Sequence, residues 1–233
     1  MSIQKYALVI GASRGLGLGL VAELANNGWR VLATVRDVTG QASLQKLACF
    51  ASGTIEIDRL DIAERQNLDN FVVRHKHKTF DLILVNAGVF GPDHQSALRI
   101  SAGEIGNLIY TNAIAPAQIG QLMLEQIRET TGVLAFTSSV RASIAGNNGG
   151  GPALYRVSKA ALNTLARSMY PAFKNRGITM LLIHPGWVQT EMGGDGAEVT
   201  VADSARGMLQ QIEKYAGSAQ QYFIDYQGTE LPW

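Results

Sequence analysis

Tyr155 and Lys159 stand four residues apart in LYRVSKAALNTLA, a stretch with helical periodicity, so one helix face carries both side chains. A phenol titrates at about 10, too high for a good acid or base at neutral pH, and a neighbouring ammonium stabilises the phenolate and lowers that value. Tyr155 could then exchange a proton with a substrate oxygen. On its own the spacing is commonly no more than a surface contact. A second chemical signal lies near the start, where YALVI runs into GASRGLG, with glycines at Gly11, Gly15 and Gly17, and then into a helical stretch. Such a sharp turn leaves backbone N–H groups and the positive helix end facing a phosphate. The spacing G-x-x-x-G-x-G differs from G-x-G-x-x-G, and nothing matches G-x-x-x-x-G-K-[ST], so kinase or ATPase chemistry loses support.

The elements that must hold these residues alternate along the chain. Runs rich in β-branched and aliphatic residues predict strands at Tyr6 to Ile10, Arg30 to Val35, Thr54 to Ile57, Leu82 to Val85, Val133 to Thr137 and Thr179 to Ile183. Helical periodicity falls at Leu16 to Asn27, Ala63 to His75, Ile105 to Arg128 and Leu154 to Lys174. The strands are apolar on consecutive residues, which fits a parallel sheet covered on both faces. The expected fold is doubly wound α/β, with a mostly parallel sheet of six to seven strands. Gln221 to Tyr226 reads as a further edge strand, Leu231-Pro232-Trp233 as a tail packed back on the body, and Gly146 to Gly151 as one flexible loop. No boundary or repeat divides the 233 residues, so a single domain over 1–233 is expected.

Composition narrows the class. A chain 46% hydrophobic and 17% charged can build a sizeable core, and 20 Lys+Arg against 19 Asp+Glu leave a net charge of +1, too little to capture nucleic acid electrostatically. The only cysteine, Cys49, excludes an internal disulfide framework and a multi-cysteine zinc site, and no metal site is expected. Cys49 itself reads as a small buried or half-buried residue. The chain opens on no basic segment followed by an apolar run, and no segment reaches about 18 uninterrupted apolar residues. A soluble cytoplasmic protein with no membrane partner is the expectation.

The end of the second strand reports on the nucleotide. An acidic residue there would hold a ribose 2′-hydroxyl, whereas an arginine accommodates a 2′-phosphate. The strand ends Val35, Arg36, Asp37. Arg36 with Arg14 would bring two guanidinium groups to a 2′-phosphate, placing NADP(H) ahead of NAD(H). A strand ending one residue later would let Asp37 take the ribose and favour NAD(H).

Taken together, the motifs resemble the short-chain dehydrogenase/reductase family, a Rossmann-fold group. They are the GASRGLG turn, LDI at Leu60 to Ile62, NAG at Asn86 to Gly88, Asn112, the Ser138-Ser139 pair, Tyr155-x-x-x-Lys159 and HPGWVQT at His184 to Thr190, and they span almost the whole chain. The resemblance implies an oxidoreductase that moves hydride between a nicotinamide and a carbonyl or alcohol. Ser139 would donate to the substrate carbonyl, Tyr155 would supply its proton, Lys159 would bond the ribose and depress the Tyr155 pKa, and Asn112 would hold a relay water. The cofactor site it implies comprises Gly11, Ser13, Arg14, Gly15, Leu16, Gly17, Arg36, Asp61, Ile62, Asn86, Ala87, Gly88, Tyr155, Lys159, Pro185, Gly186, Val188 and Thr190. Asp61 would meet the adenine amino group, Asn86 would steady the sheet, and Val188 with Thr190 would touch the carboxamide. Ser143 competes with Ser139 on spacing, but Ser139 follows the strand directly; Ser138 reads as structural.

The finer resemblance, in ATVRD, YRVSKAALN, HPGWVQTEMGG and GTELPW, is to the C-factor-like and carbonyl-reductase-like branch. That branch includes intercellular signals as well as reductases, which leaves a cofactor-binding signalling protein as the alternative to a reductase. A homodimer or homotetramer is expected through the long helices. His184 reads as a packed residue, Arg74 to Lys78 as a solvated basic face, and the glycine-bearing segment between Thr190 and Val201 as a short, mobile lid. A serine hydrolase would need G-x-S-x-G, which Ser138 and Ser139 lack.

Overall fold

The computed structural model describes residues 4–51 and 54–233. The opening residues, on which the expectation of no leader segment partly rests, lie outside that range. Among the described residues seven strands, β1 (Tyr6–Ile10), β2 (Arg30–Val35), β3 (Ile55–Arg59), β4 (Leu82–Val85), β5 (Val133–Thr137), β6 (Thr179–His184) and β7 (Gln221–Asp225), form one parallel sheet. Its order is β3-β2-β1-β4-β5-β6-β7, with Ala7 paired to Val31 on one side and to Leu82 on the other. The strand order reverses between β1 and β4, and a ligand cleft in such a sheet lies beyond the carboxyl ends of the strands at that point.

The consecutive apolar residues serve two cores. Leu8, Ile10, Ile83, Leu134 and Phe136 face one side with Leu68 and Phe71 of α3 (Arg65–His75), Ile119 of α5 (Ala115–Leu122) and Leu162, Ala166 and Phe173 of α6 (Ala153–Lys174). Ala7, Val9, Val31, Leu84 and Leu181 face the other side with Leu20 and Leu24 of α1 (Gly15–Asn26), Leu44 of α2 (Gln41–Phe50) and Met208 and Ile212 of α7 (Val201–Tyr215). The doubly wound α/β expectation holds. The tail also packs as read, with Trp233 against Phe223 at 5.4 Å between centroids and under the Arg167 guanidinium.

Several expectations need correction. The helix expected over Ile105 to Arg128 is divided into α4 (Ala102–Ile109), a π turn at Tyr110–Ile114, α5, and a 3-10 turn at Leu124–Gln126. Pro116 has no N–H to return to the Asn112 carbonyl four residues back, and the Ala115 N–H reaches Tyr110 five residues back. Helix α2 has no counterpart in the sequence reading because it commits one residue, Leu44, fully to the core. Cys49 at its end is exposed, not buried. The Arg74 to Lys78 run is not simply solvated: His75 is buried and bonds Asp58 at 2.7 Å, while Lys78 reaches Glu56 at 2.7 Å and the Tyr6 hydroxyl at 2.8 Å. These contacts fasten α3 to the edge strand β3, whose acidic residues made it read two residues too short.

The face between β5 and α5 is close-packed. A Cβ added at Gly120 would lie 3.4 Å from the Phe136 ring and 2.6 Å from Met169. Phe136→Ala should therefore cost about 3–5 kcal/mol, read as a lower urea midpoint; a loss below about 1 kcal/mol would mean that this face is loosely packed.

Candidate active site

The glycine turn is shaped by close approach. Gly11 has φ +85°, and a Cβ there would come within 2.7 Å of Ala87; a Cβ at Gly17 would come within 2.0 Å of the Gly11 carbonyl. The turn is tied to β2 by the Gly11 N–H donating to Thr34 Oγ1 at 3.3 Å and the Ala12 N–H donating to the Thr34 carbonyl at 2.9 Å. Arg14 stands at the N-cap of α1 with no side-chain cap, so the first amides of the helix are left to an external anion. Asn86 then joins the strands: its Nδ2 donates to the Gly11 carbonyl at 2.9 Å, and its Oδ1 accepts from Thr137 Oγ1 at 3.1 Å.

Beside the glycine turn, β2 stops at Val35. Asp37 turns back, its Oδ1 accepting from the Gly40 N–H at 3.2 Å, and Gly40 packs on Ser13. This leaves Asp37 inside its own turn rather than extending the strand. Arg36 and Arg14 are exposed; Arg36 contacts Asp37 and Arg14 pairs with Glu191. Asp61 caps the turn to α3 by accepting from the Ala63 N–H at 2.9 Å, with Ile62 buried beside it and Leu16 buried in α1.

The reacting end gathers around Lys159, which is 4% exposed. Its Nζ donates to the Thr137 carbonyl at 2.8 Å and lies 5.9 Å from the Tyr155 ring centroid. A Cβ on Gly88 would be 3.5 Å from that Nζ and 3.2 Å from Asn112 Oδ1. Burial pulls the Lys159 ammonium down to about 8 and pushes the Tyr155 phenol up to about 12, with a hydrogen bond from Ser139 working in the opposite direction on the phenol. Desolvation is the larger of the two influences on the phenol, and the Lys159 ammonium gives its hydrogen bond to Thr137.

The other serines are occupied elsewhere. Ser138 donates to Asn163 Oδ1 at 2.7 Å in the interior, and Ser143 accepts from the Gly146 N–H at 2.8 Å. Ser139 accepts from the Arg141 N–H at 3.1 Å and retains its own hydrogen to donate. Asn112, fully buried in the π turn, donates both amide hydrogens, to the Val89 carbonyl at 2.7 Å and Ser158 Oγ at 2.9 Å, and accepts from the Val89 N–H at 2.8 Å. Both amide hydrogens are thus used within the protein. The side chain is a brace. Thr137, Ser158, Phe90 and Gln95 belong to this cluster and were not singled out by sequence; their partners lie far along the chain and their residue types are common.

Pro185, Gly186, Val188 and Thr190 follow β6. Pro185 accepts from Ser204 Oγ at 2.6 Å, and Thr190 sits 3.2 Å from a Cβ built on Gly15, so this loop meets the glycine turn. Beyond it the chain is joined by several contacts. Val188 bridges Val199, the Gln189 N–H donates to the Val199 carbonyl at 2.9 Å, and Trp187 Nε1 donates to the Gly193 carbonyl at 2.8 Å. The glycine loop is also tethered, by Arg156 Nε donating to the Gly150 carbonyl at 2.7 Å. His184 is held neutral, its pKa lowered to about 4 by burial. Among the described residues no group of His, Cys, Asp and Glu could hold a metal ion, and no helix is long and apolar enough to cross a membrane.

A parallel sheet of this order, with a glycine turn at the strand reversal, defines a Rossmann-like α/β protein. The family model for short chain dehydrogenase matches residues 5–217, and the chain belongs to the short-chain dehydrogenase/reductase family, in its C-factor-like branch. It is 40% identical over 157 residues to C-signal of Myxococcus xanthus, covering 66% of this chain and 92% of that protein. A short-chain dehydrogenase/reductase from Burkholderia multivorans, solved with bound NADP, superposes with a TM-score of 0.95 at 34% identity, over 99% of this chain and 100% of that one. A carbonyl reductase from Pseudomonas aeruginosa PAO1 in complex with NADP gives 0.91 at 37% identity over the same shares.

The buried ammonium makes stability depend on pH. Below about pH 8 folding carries the full cost of desolvating Lys159 in its charged form. Between about 8 and 10.5 the folded lysine is neutral while the unfolded one still binds a proton, so stability rises with pH. Relative to Lys159→Met, the parent should gain up to about 3 kcal/mol across that window, measured by urea unfolding at several pH values. A flat difference would show that the ammonium is solvated.

Proposed function

We propose that the protein is an NADP(H)-dependent carbonyl reductase, with Tyr155 as general acid/base acting on a small-molecule carbonyl or alcohol. The observation that carries this is the convergence of the Ser139 hydroxyl, the Tyr155 phenol and the buried Lys159 ammonium beside the glycine turn. The turn and the uncapped α1 suit a pyrophosphate. Around it, Ser13, Leu16, Asp61, Ile62, Asn86, Ala87 and Gly88 would line the adenosine and ribose path, and Pro185, Gly186, Val188 and Thr190 the carboxamide end. Arg14 and Arg36 would take the 2′-phosphate. Their present partners, Glu191 and Asp37, are exposed ion pairs of the kind worth about 0–1 kcal/mol, which a phosphate can displace.

When bound, the nicotinamide supplies or accepts the hydride. Ser139 then polarises the substrate oxygen by donating a hydrogen bond, and Tyr155 delivers the proton. A phenol held at about 12 is already protonated at neutral pH, the state that carbonyl reduction needs. Lys159, still cationic below about 8, stabilises the phenolate as it forms. The likeness to C-signal supports the alternative of a signalling protein with little turnover, while the presence of Ser139, Tyr155 and Lys159 together supports the reductase. Both sites within one domain, a cytoplasmic location and a homodimer or homotetramer form part of the same proposal.

The test follows NADPH absorbance with a panel of aldehydes, ketones and quinones. Tyr155→Phe should lower kcat by about 10²–10⁴-fold while NADPH still binds; undiminished turnover would overturn the mechanism. Arg36→Ala should weaken NADP⁺ binding about tenfold or more and leave NAD⁺ binding unchanged in thermal-shift titrations. Tighter binding of NAD⁺ than NADP⁺ by the parent would overturn the cofactor assignment.

A further inference from the structure

The segment joining β4 to α4 holds a residue that is unusual in both backbone and side chain. Gln95 has φ +45°, in the left-handed region that residues with a Cβ seldom adopt. Its side chain is fully engaged: Nε2 donates to the Phe90 carbonyl at 3.1 Å and the Pro92 carbonyl at 2.8 Å, and Oε1 accepts from the Tyr155 N–H at 2.9 Å. Tyr155 is the third residue of α6, so its N–H has no acceptor within the helix, and the preceding Pro152 supplies no side-chain cap. Gln95 provides that cap from 60 residues away.

The same segment is pinned at its other end, where Asn112 pairs with both backbone groups of Val89. Between the two pins lies Phe90, its ring 5.2 Å from the Tyr155 ring and inclined by 30°. Tyr155 is therefore held twice by one loop, at its backbone by Gln95 and on its ring by a phenylalanine that Gln95 folds into place.

We propose that Gln95 is a positioning residue for Tyr155, setting the placement of the phenol relative to Ser139 and Lys159; this rests on the reading of Tyr155 as the general acid. Only a side chain with a donor and an acceptor at this reach serves both the Phe90 and Pro92 carbonyls and the Tyr155 amide. Glutamate keeps the acceptor and loses the donors. Glycine relaxes the backbone and keeps its own N–H on the Pro92 carbonyl, yet takes the side-chain partner from the Phe90 carbonyl and the Tyr155 amide.

The test uses the full chain with NADPH and 4-nitrobenzaldehyde as the carbonyl probe. Gln95→Gly and Gln95→Ala should each lower kcat about ten- to a hundredfold, the scale of a misplaced catalytic group, with NADPH affinity within about twofold, the spread expected of a site that is untouched. Gln95→Gly should melt no lower than Gln95→Ala, which separates lost positioning from lost folding. In both variants the Tyr155 ring resonance, assigned by its absence in Tyr155→Phe, should shift at neutral pH. An unmoved resonance, or an unchanged kcat, overturns the proposal. If the parent reduces no carbonyl, the reductase reading fails, and the ring resonance alone then decides whether Gln95 places Tyr155.

Discussion

Three hydrogen bonds run in sequence from the glycine turn to the buried ammonium. Asn86 Nδ2 donates to the Gly11 carbonyl, Thr137 Oγ1 donates to Asn86 Oδ1, and Lys159 Nζ donates to the Thr137 carbonyl. The chain of contacts crosses the carboxyl ends of β1, β4 and β5, the place where helices on both faces leave the sheet open. Because Asn86 uses both ends of its amide, shifting any one of these strands would leave a polar group unpaired in a partly buried site. The distance between the turn suited to a phosphate and the group suited to a ribose is thereby fixed by the sheet itself.

Burial, more than pairing, sets the electrostatics of this site. Lys159 has no carboxylate partner among the described residues, and Tyr155 sits in surroundings that favour its neutral form. A buried unpaired ammonium is a poor choice for stability, and its retention makes sense where a negative charge is to appear beside it. The arginines at the adenosine end follow the opposite rule. Arg14 and Arg36 stand in solvent with exchangeable partners, suited to a phosphate that arrives with its own charge and leaves again.

What could be read from the sequence was local. Tyr155 and Lys159 share a helix face because they are four residues apart, and the glycine turn follows from a strand running directly into a helix. What escaped depends on partners far along the chain. The Arg74 to Lys78 run looked like a solvated face until β3 brought Asp58 and Glu56 against it. Helix α2 hides one residue, too few to leave a periodic signal, and without that helix Cys49 reads as buried or half-buried rather than exposed. The break at Asn112 was visible in Pro116, yet apolar periodicity continues through it and masked the change from α to π. Spacing along the sequence reports a neighbour's charge and not the loss of water around Tyr155 and Lys159, so their burial was not legible in it.

The two halves of the site differ in what builds them. The cofactor half rests on strand ends, helix starts and the Asn86 bridge, all dictated by the fold. The other half is made of connections: the tethered loop before α6, the Val188–Val199 link, and the β4–α4 segment with Phe90. Connections of this kind can change without disturbing the sheet, so that one fold can serve different molecules. Gln95 sits where the halves meet. It belongs to a connection by position and to the reacting side by its bond to Tyr155, and its left-handed backbone coincides with the side chain that joins the Phe90 and Pro92 carbonyls to the Tyr155 amide.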